Sequence, residues 1–269
     1  MRNAVLAASL LLLAGITSAQ TLVASAALAP DPELAQVLPA RHWDSGLALA
    51  PPAAPPRMTP ELAFSMFQQR LHQQGERGPL SYSALTIISA ELPESNQRGK
   101  FELLRELTAP NELKFKPIEF TGDGFVKSNV INRWLVSEVQ RAQRGADPDS
   151  ALTQQNYKFS YKGEAEIFGH DAHIYQLKPR TKAAGLFKGK IYIDAASGSL
   201  LRAEGTLARS PSFFIKKVEF TSDFADIGGN WLPVELHSIT YTRVIGRAIV
   251  DVSTSNYIFN SSTSLIAAR

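Results

Sequence analysis

The stretch LFKGKIYIDAASGSLLRAEG, Leu186 to Gly205, decides how this chain folds. On either side of Asp194-Ala195-Ala196-Ser197-Gly198 stand KIYI and SLLRAEG, both rich in the residue types that fill strands. An aspartate at the first position of a turn accepts hydrogen bonds from the amides ahead of it, and a glycine at the end supplies a positive φ. A catalytic carboxylate would need a second titratable group at hand, and the local sequence offers only Arg202 and Glu204. Asp194 is therefore read as closing a hairpin, and strands joined by such short turns are antiparallel.

The same reading extends in both directions. Upstream, Tyr82, Ala84, Thr86, Ile88 and Ala90 alternate on one face, followed by Phe101, Leu103 and Leu107, then Leu113 and Phe115. Downstream, Phe214, Val218, Phe220 and Phe224 form another run, and Val234 and Leu236 hand over to Ile239 and Tyr241. That change of phase by one residue predicts a bulge or bend, because a strand has a side-chain period of two. Ile191-Tyr192-Ile193 and Phe213-Phe214-Ile215 are apolar on both faces, more than a sheet with one wet face requires.

Two helices interrupt the strands. Thr59-Pro60-Glu61 supplies a cap, a first-turn proline and an acid, and Leu62, Met66 and Phe67 recur at helical spacing. Val130 to Arg144 carries Ile131, Leu135 and Val139 on one stripe. The predicted fold class is α+β: a large curved antiparallel sheet, a half-open β-barrel, with helices over its concave face. A single domain is expected over residues 59–269.

The start of the chain has a different character. Arg2, an apolar run from Val5 to Ile16 and Thr17-Ser18-Ala19 read as an export signal over residues 1–19. The run is shorter than the roughly 20 residues that span a bilayer. Residues 20–58, rich in alanine and proline, read as a flexible arm. The chain has no cysteine, so there is no disulfide, no thiolate metal site and no attachment point for a lipoprotein anchor. A soluble periplasmic protein is expected, as a monomer. A formal charge of +3 on 269 residues, without a long run of like charge, gives no support to a nucleic-acid partner, and none is expected.

Little in the sequence points to chemistry. His170-Asp171-Ala172-His173 is the one metal-like cluster, but residues three apart on a strand face opposite ways and a third ligand is lacking. Glu164 and Glu166 share a strand face and read as solvated. No nucleophile elbow or phosphate-binding loop is present. The expectation is no enzyme, no catalytic residue, no cofactor and no metal. Lys178, Arg180, Lys182, Lys188 and Lys190 form a local basic patch, read as solvated loop or as a surface for anionic headgroups or an acidic partner.

KGKIYIDAASGSLLRAEG, the strand FFIKKVEF that follows it, and the strand start Trp231-Leu232-Pro233 resemble the outer-membrane lipoprotein-sorting group of exported bacterial proteins, part of the LolA-like superfamily of periplasmic lipoprotein carriers. The resemblance covers about Tyr82 to Phe259. It implies an apolar concave face that holds acyl chains of lipids or lipoproteins, with an envelope membrane protein as a further partner. A regulatory or interaction module of the same fold, sensing lipoproteins or envelope state, is the alternative it implies. The residues nominated for the groove are Ile191, Ile193, Phe214, Val218, Phe220, Leu236, Ile239 and Tyr241.

Overall fold

A computed structural model describes residues 56–77, 80–144 and 149–259; the export signal, nearly all of the Ala/Pro-rich arm and Trp43 lie outside the described residues. Helix α1 (Pro60–Arg77) precedes three strands, β1 (Tyr82–Leu92), β2 (Gln97–Thr108) and β3 (Glu112–Gly122). A helical segment follows: α2 (Gly124–Val126), a wide π-type turn over Lys127–Ile131, and α3 (Asn132–Arg144). Seven strands complete the domain: β4 (Tyr157–Ile167), β5 (His170–Pro179), β6 (Phe187–Asp194), β7 (Leu200–Leu207), β8 (Ile215–Ile227), β9 (Asn230–Thr242) and β10 (Arg247–Phe259). The described residues from Arg57 onward belong to one unit.

All ten strands form one sheet in the order β3-β2-β1-β10-β9-β8-β7-β6-β5-β4. Every neighbouring pair is antiparallel; short turns require this for all but β1 and β10, which meet without a direct connection. The sheet is open: β3 and β4 are its two edges, and the α2–α3 segment is the connection between them.

The Leu186–Gly205 hairpin forms as the sequence indicates. The Asp194 carboxylate Oδ1 accepts the Ala196 and Ser197 amides at 2.7 Å each, and the Gly198 amide closes onto the Asp194 carbonyl. Gly198 has φ +70°, and a Cβ there would come 2.8 Å from Cβ of Met66 on α1. The turn thus needs glycine twice, for its backbone and for the close approach of the helix.

Residues directly opposite in paired strands share a face of the sheet. Phe220 pairs with Ser238, Ser238 with Val250, and Val250 with Ala90. Phe220 packs in a cluster with Ala63 and Phe67 of α1, while Val250 and Ala90 pack with Val126, Val130, Ile131 and Trp134 of the second helical segment. Both helical covers therefore lie on the same face.

The helix stripes differ in detail from the expected ones. On α1, capped by Thr59 Oγ1 accepting the Leu62 amide at 3.3 Å, the packed residues are Ala63, Phe64, Phe67 and Leu71; Leu62 is 52% exposed. The second helical segment begins six residues before Val130, and its wide turn adds a residue that shifts the periodicity. Its buried stripe becomes Val130, Ile131, Trp134, Ser137 and Glu138, leaving Val139 only half-buried.

The opposite face explains one sequence oddity. Tyr192 packs there with Ile174 and Leu201 in a small cluster, and its hydroxyl donates to Glu204 at 3.0 Å. Arg202 binds Asp223 with two parallel hydrogen bonds, at 2.5 and 2.9 Å. The doubly apolar IYI run is thus shared between a large core on one face and a small cluster on the other.

Candidate ligand-binding site

The covered face divides into three zones. Under α1, which lies against β6, the core is aromatic: Phe67 stacks parallel to Trp231 at 6.1 Å, and Phe187 meets Phe220 edge-on at 5.1 Å. Four of the nominated residues, Ile191, Ile193, Val218 and Phe220, sit here and are buried. Under α2 and α3, with α3 against β3, the core is aliphatic: Ile88, Ala90, Leu103, Val250 and Val252, with Phe101 among them.

Between the two runs a seam of small polar residues. Ser222 on β8 and Ser238, Thr240 and Thr242 on β9 are all buried, and among the described residues Leu236 alone packs against both clusters. Thr86 and Thr254 continue the polar theme on β1 and β10, with their hydroxyls 3.4 Å apart. Ser222 Oγ donates to the Glu235 carbonyl and Thr242 Oγ1 to the Gly246 carbonyl, so these hydroxyls are satisfied by backbone. A line of short polar side chains, with Ser222 and Thr242 paired to backbone, forms the floor between two apolar banks.

The register corrects two nominations. The bulge on β9 falls at Val234, where Asp223 faces Glu235 and Phe224 faces Pro233; from Glu235 to Tyr241 pairing with β10 is unbroken. Leu236, Ser238 and Thr240 therefore share the covered face, and Ile239 and Tyr241 point to the other one. Ile239 stands beside Glu219 and Ile249 there, and Tyr241 lies 5.6 Å from the Lys217 ammonium. The apolar phase changed because serine and threonine replace apolar residues on the covered face. Phe214 lies in the β7–β8 connection, half-buried, with its ring edge-on to Phe213.

An ion pair fastens the second cover. Arg105 on β2 lies on the covered face in register with Phe101 and Leu103, and its Nη1 is 3.3 Å from Glu138 Oε2 of α3. Both side chains are nearly enclosed, 12% and 6% exposed. Arg105 Nε also donates to the Tyr82 hydroxyl, and Arg141 of α3 shares the Glu138 carboxylate. Beside them the Trp134 indole N–H is buried without a hydrogen-bond partner.

A different device fastens α1. The chain just before it is clasped to the sheet: the Met58 amide donates to the Ala195 carbonyl at 2.7 Å, and His173 Nε2 donates to the Met58 carbonyl at 3.0 Å. The Tyr175 hydroxyl donates to the Pro60 carbonyl, and burial pushes that phenol up to about 12, so it stays a donor. Arg57 pairs with Glu164 and Asp171. His170, on the other face of β5, donates from Nδ1 to Asp194 Oδ2 at 2.8 Å. The two histidines of the metal-like cluster thus serve separate structural contacts. Among the described residues no three acidic or imidazole side chains gather as a metal site would.

Sequence reasoning missed the Arg105–Glu138 pair and the seam. Each becomes legible only once the covered face is known: Arg105 is a charge in the register of Phe101 and Leu103, and Ser238 and Thr240 keep the parity of Leu236.

No family model matches this chain, and no curated protein matches it. Solved structures do match. A DUF1329 family protein from Desulfovibrio piger is 12% identical over 76% of this chain and 94% of its own, with a TM-score of 0.36. A putative outer membrane lipoprotein-sorting protein domain from Vibrio parahaemolyticus is 12% identical over 75% and 94%, with a TM-score of 0.37. A LolA superfamily protein from Nitrosomonas europaea is 11% identical over 79% and 98%, with a TM-score of 0.36.

Proposed function

We propose that this chain is a non-enzymatic binder or carrier of lipids or lipoproteins in a bacterial periplasm, taking acyl chains along the seam between its two helical covers. The observation that carries this reading is the change of lining across one face of the sheet. Two apolar banks flank a floor of serine and threonine, bridged by Leu236. A face meant only as core would be filled there by large side chains, which bury more apolar area. From Leu236 to Thr242 the floor runs about 20 Å at the usual rise per strand residue, a length suited to an extended acyl chain. Each methylene buried between the banks would contribute about 0.8 kcal/mol.

The lining residues in this reading are Ile191, Ile193, Val218, Phe220 and Leu236 from the sequence, joined by Val250, Val252 and the seam hydroxyls. Among the described residues no helix is long and apolar enough to cross a membrane. The resemblance of the hairpin and its following strands supports the same class of cargo.

Native mass spectrometry of the protein from a periplasmic extract tests this. The expected result is added mass that solvent extraction identifies as acyl lipid or lipopeptide. A bare mass that stays bare after incubation with a lipidated peptide overturns the reading.

A further inference from the structure

Across β4 to β10 the two ends of the sheet differ in charge. The connections β5–β6, β7–β8 and β9–β10 all lie at one end, because alternate turns of an antiparallel sheet share an end. Residues 178–190, 205–218 and 242–250 contain no aspartate or glutamate, yet they carry Lys182, Arg209, Lys216 and Arg243 on exposed positions. None of these four is in an ion pair among the described residues. Two neighbouring cations are already neutralised, Arg247 by Glu94 and Lys217 by Glu219. The β4–β5, β6–β7 and β8–β9 turns at the opposite end instead bring Asp171, Asp194 and Asp226.

The same cationic end presents large apolar side chains outward. Phe213 is 78% exposed and Val244 is 64% exposed, on two adjacent connections. Phe213 does not hang from a loose loop. Arg243 donates from Nε to the Phe213 carbonyl and from its backbone amide to the Phe214 carbonyl, each at 2.8 Å. The Arg243 guanidinium also lies 5.0 Å over the Phe213 ring. Ser210 Oγ further ties the loop to the Ser212 and Ile215 carbonyls. A cavity of about 390 Å³ opens beneath, lined in part by Ala184, Gly185, Leu207, Arg209 and Phe213.

We infer that this rim is a docking surface for an anionic phospholipid membrane. Phe213 and Val244 enter the headgroup layer, while Lys182, Arg209, Lys216 and Arg243 meet lipid phosphates. An apolar side chain held rigidly outward among cations matches a surface that is apolar below and anionic above. An acidic protein partner would account for the charge but not for two large apolar tips, Phe213 and Val244, held outward on adjacent connections. Docking is independent of the acyl-binding reading: it concerns the end of the sheet, not its covered face.

The test is co-sedimentation of the full chain with phosphatidylethanolamine vesicles, with and without phosphatidylglycerol. Binding is expected only to the anionic vesicles, and to weaken as salt screens the charges. Arg209→Glu and Lys216→Glu each lower affinity by at least about fivefold, and Phe213→Ser by about tenfold. Lys114→Glu, on the β3 edge strand, serves as the charge-matched control and should bind as the parent does. Each variant alters an exposed side chain, and an unchanged thermal unfolding midpoint separates lost docking from lost fold. Equal binding to both vesicle types, or rim variants that bind as well as the control, overturns the inference. Acyl uptake by Phe213→Ser should persist, so failure of docking and failure of the acyl-binding reading are read separately.

Discussion

The two helical covers sit on one face of one sheet but are held by different physics. α1 is locked by backbone: Met58 bonds to Ala195, His173 and Tyr175 bond back to the chain at Met58 and Pro60, and Phe67 fills an aromatic core against Trp231. α3 is held through a buried ion pair, Arg105 with Glu138, over an aliphatic core and beside an indole N–H that finds no partner. A buried ion pair gives little net stability, because desolvation offsets much of the attraction. The comparison teaches that α1 is fastened by backbone hydrogen bonds and aromatic packing and α3 by an ion pair over an aliphatic core, with the polar seam between them as the place where a ligand chain would lie.

Four experiments press on that difference. The largest effect is expected from Phe67→Ala, which empties the aromatic core under α1: destabilisation of about 3–5 kcal/mol, read by urea unfolding. A loss under about 1 kcal/mol would mean that α1 is not fastened as described. Arg105→Met should cost about 3 kcal/mol or more by stranding the Glu138 carboxylate, whereas the double change Arg105→Met with Glu138→Leu should recover most of it. If the double variant is as unstable as the single one, the pair is not what holds α3.

Alkaline pH probes the buried phenols, two of which, Tyr157 and Tyr175, lie in the α1 half. Burial pushes the phenols of Tyr157 and Tyr175 up to about 12 each. Their folded values lie above the ordinary value of about 10, so the stability they contribute is full below pH 10 and is lost as pH rises toward 12. Tyrosinate absorbance at these sites should therefore appear together with unfolding of the α1 core. Early ionisation in a folded protein would contradict the burial. The smallest effect is expected from Arg57→Ala, which removes two half-exposed ion pairs and should change stability by no more than about 1 kcal/mol. A larger loss would make the clasp electrostatic and not a matter of backbone bonding.

Much of the fold was legible because strands announce themselves locally. The Asp194 turn, the alternation of Tyr82 to Ala90 and the capping of α1 at Thr59 are all decided by neighbours in sequence. The helix stripes were less legible, because the wide turn over Lys127–Ile131 shifts the period and because Ala63, a small residue, is what lets α1 come close to Gly198. The site was legible only on its apolar banks. Apolarity alone would make Ile239 and Tyr241 the continuation of Leu236, but the pairing with β10 turns them to the other face. On the covered face the chain places Ser238 and Thr240 instead, and no local pattern distinguishes a buried serine floor from a solvent-facing edge. Arg105 was hidden for the same reason: its partner Glu138 lies on another element.

The most direct measurement of the central claim is photo-crosslinking with a diazirine-bearing palmitate, followed by peptide mapping of the labelled sites. The account predicts label on the covered face of β8, β9 and β10, around Phe220, Leu236 and Val252, competed away by unlabelled palmitate. Label confined to the opposite face around Ile239, Tyr241 and Ile249, or label that unlabelled palmitate does not displace, would contradict it.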